Sequence, residues 1–237
     1  MIDGIAHAVE AVATKWVQGH FARFAVEIKN MTGATRDAYL KVREQISKPE
    51  ETGIDLTDNL KAATKDSNAE DARDLPTFAD HLYSDNKGRF PAKLNDWETT
   101  VIETELKRPS FVAWYRNPSR SAPSALRIAY EDDAGKWGSL QVDFIIISRR
   151  DDGTLAASIV DPHGDHLADA KAKLRGLAGY AEKFGHRYIR IDSIVKAADG
   201  RLRSLDLLDA KVRDAVRKFE GGKVSRIYES SYASDYR

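Results

Sequence analysis

Four residues that could bind a metal directly follow an apolar segment in the second half of the chain. They are Asp161, His163, Asp165 and His166, within the run SIVDPHGDH. Carboxylates and imidazoles are common ligands of divalent metals. Cysteine is absent from all 237 residues, so any metal must be bound through oxygen or nitrogen. The segment therefore predicts a metal-dependent site at the end of a strand.

A predicted hairpin brings a further carboxylate to the same place. The sequence Asp151-Asp152-Gly153 is typical of a three-residue hairpin loop, in which glycine supplies the positive φ. A hairpin centred there pairs residues whose numbers sum to about 304, so Asp143 should lie opposite Asp161. Cross-strand partners are about 4.5–5.5 Å apart, which lets two carboxylates share one cation. His163 should project from the same face as Asp161, because side chains alternate along a strand.

Burial of this carboxylate pair favours a bound cation. Asp143 stands within the apolar run QVDFIIIS, and Asp161 follows the apolar SIV. Two buried carboxylates repel each other strongly unless a cation compensates their charge. The alternative is purely structural, with Asp161 ending a strand and Asp165 capping the next helix. That alternative leaves Asp143 unexplained.

The elements around these residues predict an α/β fold. Strand-like runs are expected at 111–116, 125–130, 140–148, 155–160 and 186–195, and helices from Asn95 or Asp96, over 166–184 and over 204–219. The strand-helix-strand segment from 155 to 195 should be a right-handed crossover, which makes its two strands parallel. Short hairpin loops join the earlier strands. The prediction is a mixed sheet with an α-β-β-β-α-β core.

The first 75 residues are predicted to form a separate part of the chain. Apolar residues recur with helical spacing over residues 4–48, and a polar, acidic stretch follows from residue 49 to about 76. We therefore divide the chain into a helical arm with a linker, residues 1–75, and a catalytic domain, residues 76–237.

Charge and hydropathy limit the function classes. The 37 basic and 37 acidic residues balance, so binding to a polyanion would need local patches. The candidate patches are Arg116, Arg120 and Arg127, and Lys196, Arg201 and Arg203. No apolar run approaches the roughly 18 residues of a membrane-spanning helix, and no signal peptide is recognisable. These features predict a cytoplasmic protein that does not bind membranes.

The run DPHGDH resembles the His-x-His-x-Asp-His signature of metallo-β-lactamases, with Asp161 in the first position. That resemblance would make Asp161, His163, Asp165 and His166 the candidate ligands. It also implies further metal-binding histidines well downstream, where the sequence has His186 alone.

A longer resemblance covers residues 78–195. The runs WETTVIETEL, FVAWYRNP, QVDFIIIS, SIVDPHGDHLADAKAKLRGLAGYA and YIRIDSI together resemble the C-terminal nuclease domain of type III restriction enzyme Res subunits and related helicase-nucleases. That domain belongs to the PD-(D/E)xK nuclease superfamily. The resemblance implies a restriction-endonuclease-like fold and hydrolysis of phosphodiester bonds in double-stranded DNA with Mg²⁺, or Mn²⁺, as cofactor.

The resemblance also implies which residues form the site. Asp143 takes the family's Pro-Asp position, and Asp161-Pro162-His163 takes the Glu/Asp-x-Lys position. Mg²⁺ would be bound by Asp143, Asp161 and the carbonyl of Pro162. A glutamate from the preceding helix often completes such sites, and Glu105 is the first choice, with Glu98 second.

His163 stands where the family has lysine. A lysine carries a permanent positive charge, whereas a histidine with an ordinary pKa near 6.5 is largely neutral at pH 7. The chain is therefore expected to be either an endonuclease with altered metal preference or a catalytically inactive module that binds DNA or protein. No Walker-type phosphate loop occurs, so a helicase or translocase motor would come from a parent polypeptide or a partner subunit, attached through the helical arm.

Overall fold

The computed structural model describes residues 3–36, 38–39, 64–66, 73–119, 124–132, 134–135, 137–164, 169–220 and 223–237. The chain divides into two compact units. The smaller consists of Met1–Thr52 and Glu131–Gly138, and the larger of Gly53–Tyr130 and Ser139–Arg237. The larger unit contains all of the predicted site residues that are described.

The N-terminal segment is helical, as predicted, but not continuously so. Helix α1 spans Asp3–Arg23 and α2 spans Ala25–Asn30, and helical residues recur at 33–36 and 38–39. Met31 is extended and ends α2. Residues 40–48 of the predicted helix lie outside the described residues.

A six-stranded mixed sheet forms the centre of the larger unit. The strands are β1 (Thr77–Ala79), β2 (Arg89–Pro91), β3 (Phe111–Arg116), β4 (Arg127–Glu131), β5 (Trp137–Gln141), β6 (Phe144–Arg149), β7 (Leu155–Pro162), β8 (Tyr188–Lys196), β9 (Leu202–Asp206) and β10 (Ser234–Asp235). The sheet order is β10-β9-β8-β7-β6-β3, and β1–β2 and β4–β5 are separate pairs. Strands β7 and β8 are parallel, and the other neighbours in the large sheet are antiparallel. The predicted mixed α/β class is confirmed.

The helices of the larger unit are α3 (Asp96–Glu105), α4 (Ala170–Phe184), a 3₁₀ turn (Gly185–Arg187), α5 (Ala210–Lys218) and α6 (Ser225–Tyr228). The predicted start of α3 is confirmed: the Asn95 side chain accepts the Glu98 N–H at 2.9 Å, and Glu98 Oε2 accepts the Asn95 N–H at 2.8 Å. The predicted helix start at Asp165 and His166 lies outside the described residues. Among the helices described, none is both long and apolar enough to cross a bilayer.

Both faces of the sheet are covered. Neighbouring residues of β7 point to opposite sides, so that Ile159 packs in a cluster with α4 and α5 and Val160 in a cluster with α3. Parallel strands are usually buried on both faces, which explains why β7 and β8 read as nearly continuous apolar runs. The carboxyl ends of these two strands therefore emerge from a rigid core.

Two predicted elements are wrong in part. The helix expected over 204–219 begins only at Ala210, because Leu202–Asp206 forms β9 against β8. A short apolar run fits either period, and the free edge of β8 decides in favour of a strand. The strand expected over 140–148 is interrupted before Phe144. At the interruption the buried Asn117 donates its backbone N–H to Asp143 O at 2.9 Å and its side-chain amide to Val142 O at 2.7 Å.

Candidate functional site

The hairpin between β6 and β7 has the predicted geometry. Gly153 has a φ of +84° and donates its N–H to Arg150 O at 2.9 Å. The ladder pairs Phe144 with Val160, which is the predicted register. Asp143 lies one residue before β6, and its backbone N–H donates to Asp161 Oδ1 at 3.0 Å. Residues 143 and 161 therefore meet at one end of the hairpin.

His163 packs directly against Asp161. Its Nδ1 lies 3.2 Å from Asp161 Oδ2, and its backbone N–H donates to Ile194 O at 3.0 Å, which fixes it at the carboxyl end of β7. Asp161 is only 2% exposed. Burial lowers the pKa of His163, but hydrogen bonding to Asp161 and the negative charge of that residue outweigh burial and raise the pKa above its ordinary value. Pro162, between them, pairs with Ile194.

Arg116 joins this group from β3, and sequence analysis did not assign it to the site. One of its guanidinium nitrogens, Nη2, lies 2.8 Å from Glu98 Oε1 and 3.3 Å from Asp143 Oδ1. The guanidinium carbon also lies 4.7 Å from the centre of the Phe144 ring, a cation–π distance. The pairing of Arg116 with Phe144 in the sheet sets this position. Arg116 therefore bridges two of the acidic side chains.

The surroundings of Asp143 raise the pKa of its carboxyl. Burial is the largest cause and raises the pKa of Asp143, the neighbouring Arg116 lowers it, and the charges of Asp161 and Glu98 raise it again, to about 7. Such a carboxylate gains most from an added positive charge.

Three polar atoms of this group are buried and have no hydrogen-bond partner within the described part of the chain. They are Asp161 Oδ2, His163 Nε2 and Arg116 Nη1. A buried polar atom without a partner costs about 1–3 kcal/mol, so its presence indicates a role. The two carboxylates and the Pro162 carbonyl are oxygen donors of the kind that suits Mg²⁺ or Mn²⁺. As the side chains stand, no three acidic, histidine or cysteine residues among those described converge closely enough to bind a metal.

The choice of Glu105 as the third acidic residue is corrected by its position. Glu105 is fully buried in a second cluster, where its carboxylate lies 2.7 Å from Arg190 Nη2 and 2.9 Å from Arg108 Nε and accepts the Tyr236 hydroxyl. It follows Glu98 by seven residues, or about 10 Å along the helix. The same face of α3 therefore serves two clusters, and Glu98 is the residue beside Asp143.

His81 supports the site from outside the segments that sequence analysis singled out. Its ring is 4% exposed, lies parallel to Phe90 with 3.6 Å between ring centres, and receives the backbone N–H of Arg116 at Nε2, 3.0 Å away. Thirty-five residues separate His81 from Arg116. No local pattern in the sequence could have indicated this contact.

The fold and these residues define a mixed α/β protein with a buried cluster of acidic residues, histidine and arginine at the carboxyl end of a central strand. A family model described as the YagJ family matches residues 79–237. Protein YagJ of Escherichia coli strain K12 is 36% identical over 225 residues, which cover 95% of this chain and 90% of that protein. The chain belongs to the YagJ family. No solved structure matches it.

Proposed function

We propose that this protein is a metal-dependent DNA endonuclease of the restriction or phage-defence type. The observation that carries the proposal is the buried Asp161 carboxylate, whose Oδ2 accepts no hydrogen bond within the described residues and has the His163 imidazole 3.2 Å away, next to an Asp143 carboxyl with a raised pKa. A bound divalent cation would compensate the negative charge of both carboxylates.

The order of elements supports the same proposal. Helix α3, strands β3, β6 and β7, helix α4 and strand β8 follow one another in an α-β-β-β-α-β sequence, with the β4–β5 pair inserted after β3. This is the core order of the restriction-endonuclease-like fold that the sequence resemblance implies. The candidate site lies at the start of β6 and the end of β7, and the same resemblance assigns its residues Asp143, Asp161 and His163 to catalysis.

Each side chain has a role in this proposal. Asp143, Asp161 and the carbonyl of Pro162 would hold the cation, which when bound would act as a Lewis acid on the scissile phosphate. His163 Nε2 has no hydrogen-bond partner among the described residues and would donate a hydrogen bond to the attacking water or to the phosphate, because the raised pKa of His163 favours the protonated imidazole. Arg116 provides the permanent positive charge that the histidine does not, and its planar guanidinium suits phosphate oxygens.

A second candidate function is a catalytically inactive module that binds DNA or protein. The observation that favours it is the ion pairing of Arg116 with both Glu98 and Asp143, which balances part of the acidic charge without any metal. In that case Arg116 would hold the cluster permanently closed to cations.

We also propose that the N-terminal helices attach the protein to a helicase or translocase motor. Val12, Trp16 and Val26 are 70%, 66% and 69% exposed. Val12 and Trp16 lie four residues apart on α1 and therefore on one face of it, and a contiguous exposed apolar patch is typical of a surface that another protein covers.

Nicking of supercoiled plasmid DNA tests the proposed function. We expect cleavage with Mg²⁺ or Mn²⁺, none in EDTA, and a loss of at least roughly tenfold in Asp161→Asn. Asparagine keeps an oxygen that can accept the Asp143 N–H, so this variant should still fold. The control is Glu103→Gln on the exposed side of α3, which should cleave like the unmodified protein.

Calorimetric titration with Mn²⁺ separates the two candidates even if cleavage requires a motor. Binding that is lost in Asp161→Asn supports the nuclease. Absence of both Mn²⁺ binding and nicking by the unmodified protein would rule out the nuclease and leave the inactive module.

A further inference from the structure

We infer that a basic groove beside the candidate site binds the phosphate backbone of double-stranded DNA. This basic groove has a volume of about 570 Å³, and its charged residues are Lys196, Lys223, Arg226 and Glu229. The inference rests on the proposed function in its choice of DNA as the partner, but its evidence is independent of the metal site.

The cations of the basic groove come from two distant parts of the sequence. Lys196 ends β8, whereas Lys223 and Arg226 lie just before and within α6. All three side chains are exposed, and none forms an ion pair with another residue in the described ranges. With Glu229 as the single acidic residue, the groove carries a net charge of about +2. In a chain with no net charge, this is a local attraction for an anion.

The other arginines near this end of the sheet are already neutralised. Arg201 Nη2 lies 2.7 Å from Asp199 Oδ2, and Arg203 Nη1 lies 2.7 Å from Asp235 Oδ1. Of the predicted patch of Lys196, Arg201 and Arg203, Lys196 is therefore the residue left to bind an anion. The other two cations beside it in the groove are Lys223 and Arg226.

The floor of the basic groove is rigid. Tyr228 is fully buried and its hydroxyl lies 2.7 Å from Ser193 Oγ, while Arg203 Nε donates to the Tyr228 carbonyl at 3.1 Å. Val195 of the groove wall belongs to the main core. Cations on a preorganised base lose less entropy when they bind a ligand.

Strand β8 connects the basic groove to the candidate site. Ser193, which holds Tyr228, is the register partner of Asp161 on the neighbouring strand, and Ile194 O accepts the N–H of His163. Lys196 follows Ile194 by two residues, or about 7 Å along β8. Phosphates in one DNA strand repeat at about 3.4 Å along the helix axis, so a strand with one phosphate at Asp161 and His163 would place further phosphates within reach of the groove.

Fluorescence anisotropy with a 30-base-pair duplex tests this inference in EDTA, where no cleavage occurs. The test variant combines Lys196→Ala, Lys223→Ala and Arg226→Ala. We expect its affinity to fall at least tenfold, and the slope of log affinity against log salt to decrease by about 0.9 for each cation that contacts a phosphate.

The matched control combines Lys183→Ala, Lys211→Ala and Lys218→Ala, which remove the same charge from exposed positions on α4 and α5. It should bind DNA like the unmodified protein, and both variants should keep the unmodified melting temperature. Equal losses in the two variants, or no measurable binding of duplex DNA by the unmodified protein, would overturn the inference.

The same experiments distinguish the basic groove from the nuclease. DNA binding through the groove without nicking or Mn²⁺ binding would leave the groove standing and remove the nuclease. Nicking of plasmid DNA, together with an unchanged affinity of the groove variant for the duplex, would support the nuclease and overturn the groove. Vesicles of anionic lipid provide a further comparison. A groove variant that loses binding to these vesicles but keeps its affinity for the duplex would also count against DNA as the partner.

Discussion

Single residues hold the site in place through contacts that permit only one charge state, and His81 is the clearest case. Its Nδ1 faces the Tyr83 N–H and its Nε2 faces the Arg116 N–H, each at 3.0 Å. A neutral imidazole accepts a hydrogen bond at only one nitrogen, so one of these two N–H groups donates to the ring and the other makes a close contact with the ring N–H; a protonated imidazole accepts neither. Burial lowers the pKa of His81 to about 3. The neutral ring fixes the backbone of Arg116.

We predict that His81 makes the folded state sensitive to acid. Its pKa is about 3 in the folded protein and 6.5 for an unperturbed histidine, so its contribution is complete above pH 6.5 and is lost as the pH falls towards 3. The free energy of unfolding, measured with urea, should therefore fall more steeply with decreasing pH than in His81→Phe, by up to about 1.4 kcal/mol per pH unit. Parallel curves for the two proteins would contradict the prediction, and His186→Gln controls for loss of an exposed histidine.

Elements bring the site together by close packing, and α4 shows how little space remains. Gly176 of α4 faces Tyr130 of β4, and a Cβ built at residue 176 would overlap Tyr130 Cβ and lie 3.5 Å from its Cα. The Tyr130 hydroxyl donates to Asp169 Oδ2 at 3.0 Å, just before the helix. Helix α4 thus holds Tyr130 of β4 in the core of the larger unit.

Two glycines of α4 give a matched pair of variants. Gly176→Ala should destabilise the protein by about 1–3 kcal/mol, because the new methyl meets the backbone side of Tyr130. Gly179→Ala has nothing within 4 Å of its new methyl and should stabilise the helix by about 0.5–1 kcal/mol. Chemical denaturation measures both changes. Destabilisation of similar size in both variants would show that helix packing is not the cause.

At the scale of the whole larger unit, Glu105 connects α3, β8 and the C-terminal residues. It contacts Arg108 in the turn after its own helix, Arg190 on β8 and Tyr236 beside β10. Arg190 Nη1 also lies 2.8 Å from Asp192 Oδ2, whose pKa is raised to about 6, chiefly by burial. The cluster joins elements that are far apart in the sequence and is structural in character.

We predict that Glu105→Gln destabilises the protein without affecting metal binding. Removing one partner from a buried ion pair costs about 3–5 kcal/mol, because the remaining charges are left uncompensated. Thermal unfolding measures the loss, with Glu103→Gln as the exposed control on the same helix. Mn²⁺ affinity should not change at a temperature where the variant is folded. A stable Glu105→Gln that no longer binds Mn²⁺ would restore Glu105 to the site.

Local chemistry in the sequence was sufficient to predict much of the core. The loop at 151–153 determined the register of β6 and β7, and with it the meeting of Asp143 and Asp161. Asn95 determined the start of α3. These predictions succeed because glycine conformation, side-chain alternation and helix capping depend on residues within a few positions of each other.

Only the tertiary structure decided what surrounds the two aspartates. It placed Glu98 rather than Glu105 beside Asp143, and it brought Arg116 from β3 between those acidic side chains. It also assembled Lys196 with Lys223 and Arg226, from segments separated by more than 25 residues. Two glutamates on one face of a helix look alike in the sequence, and contacts across strands depend on sheet order, so neither is determined until the whole sheet is formed.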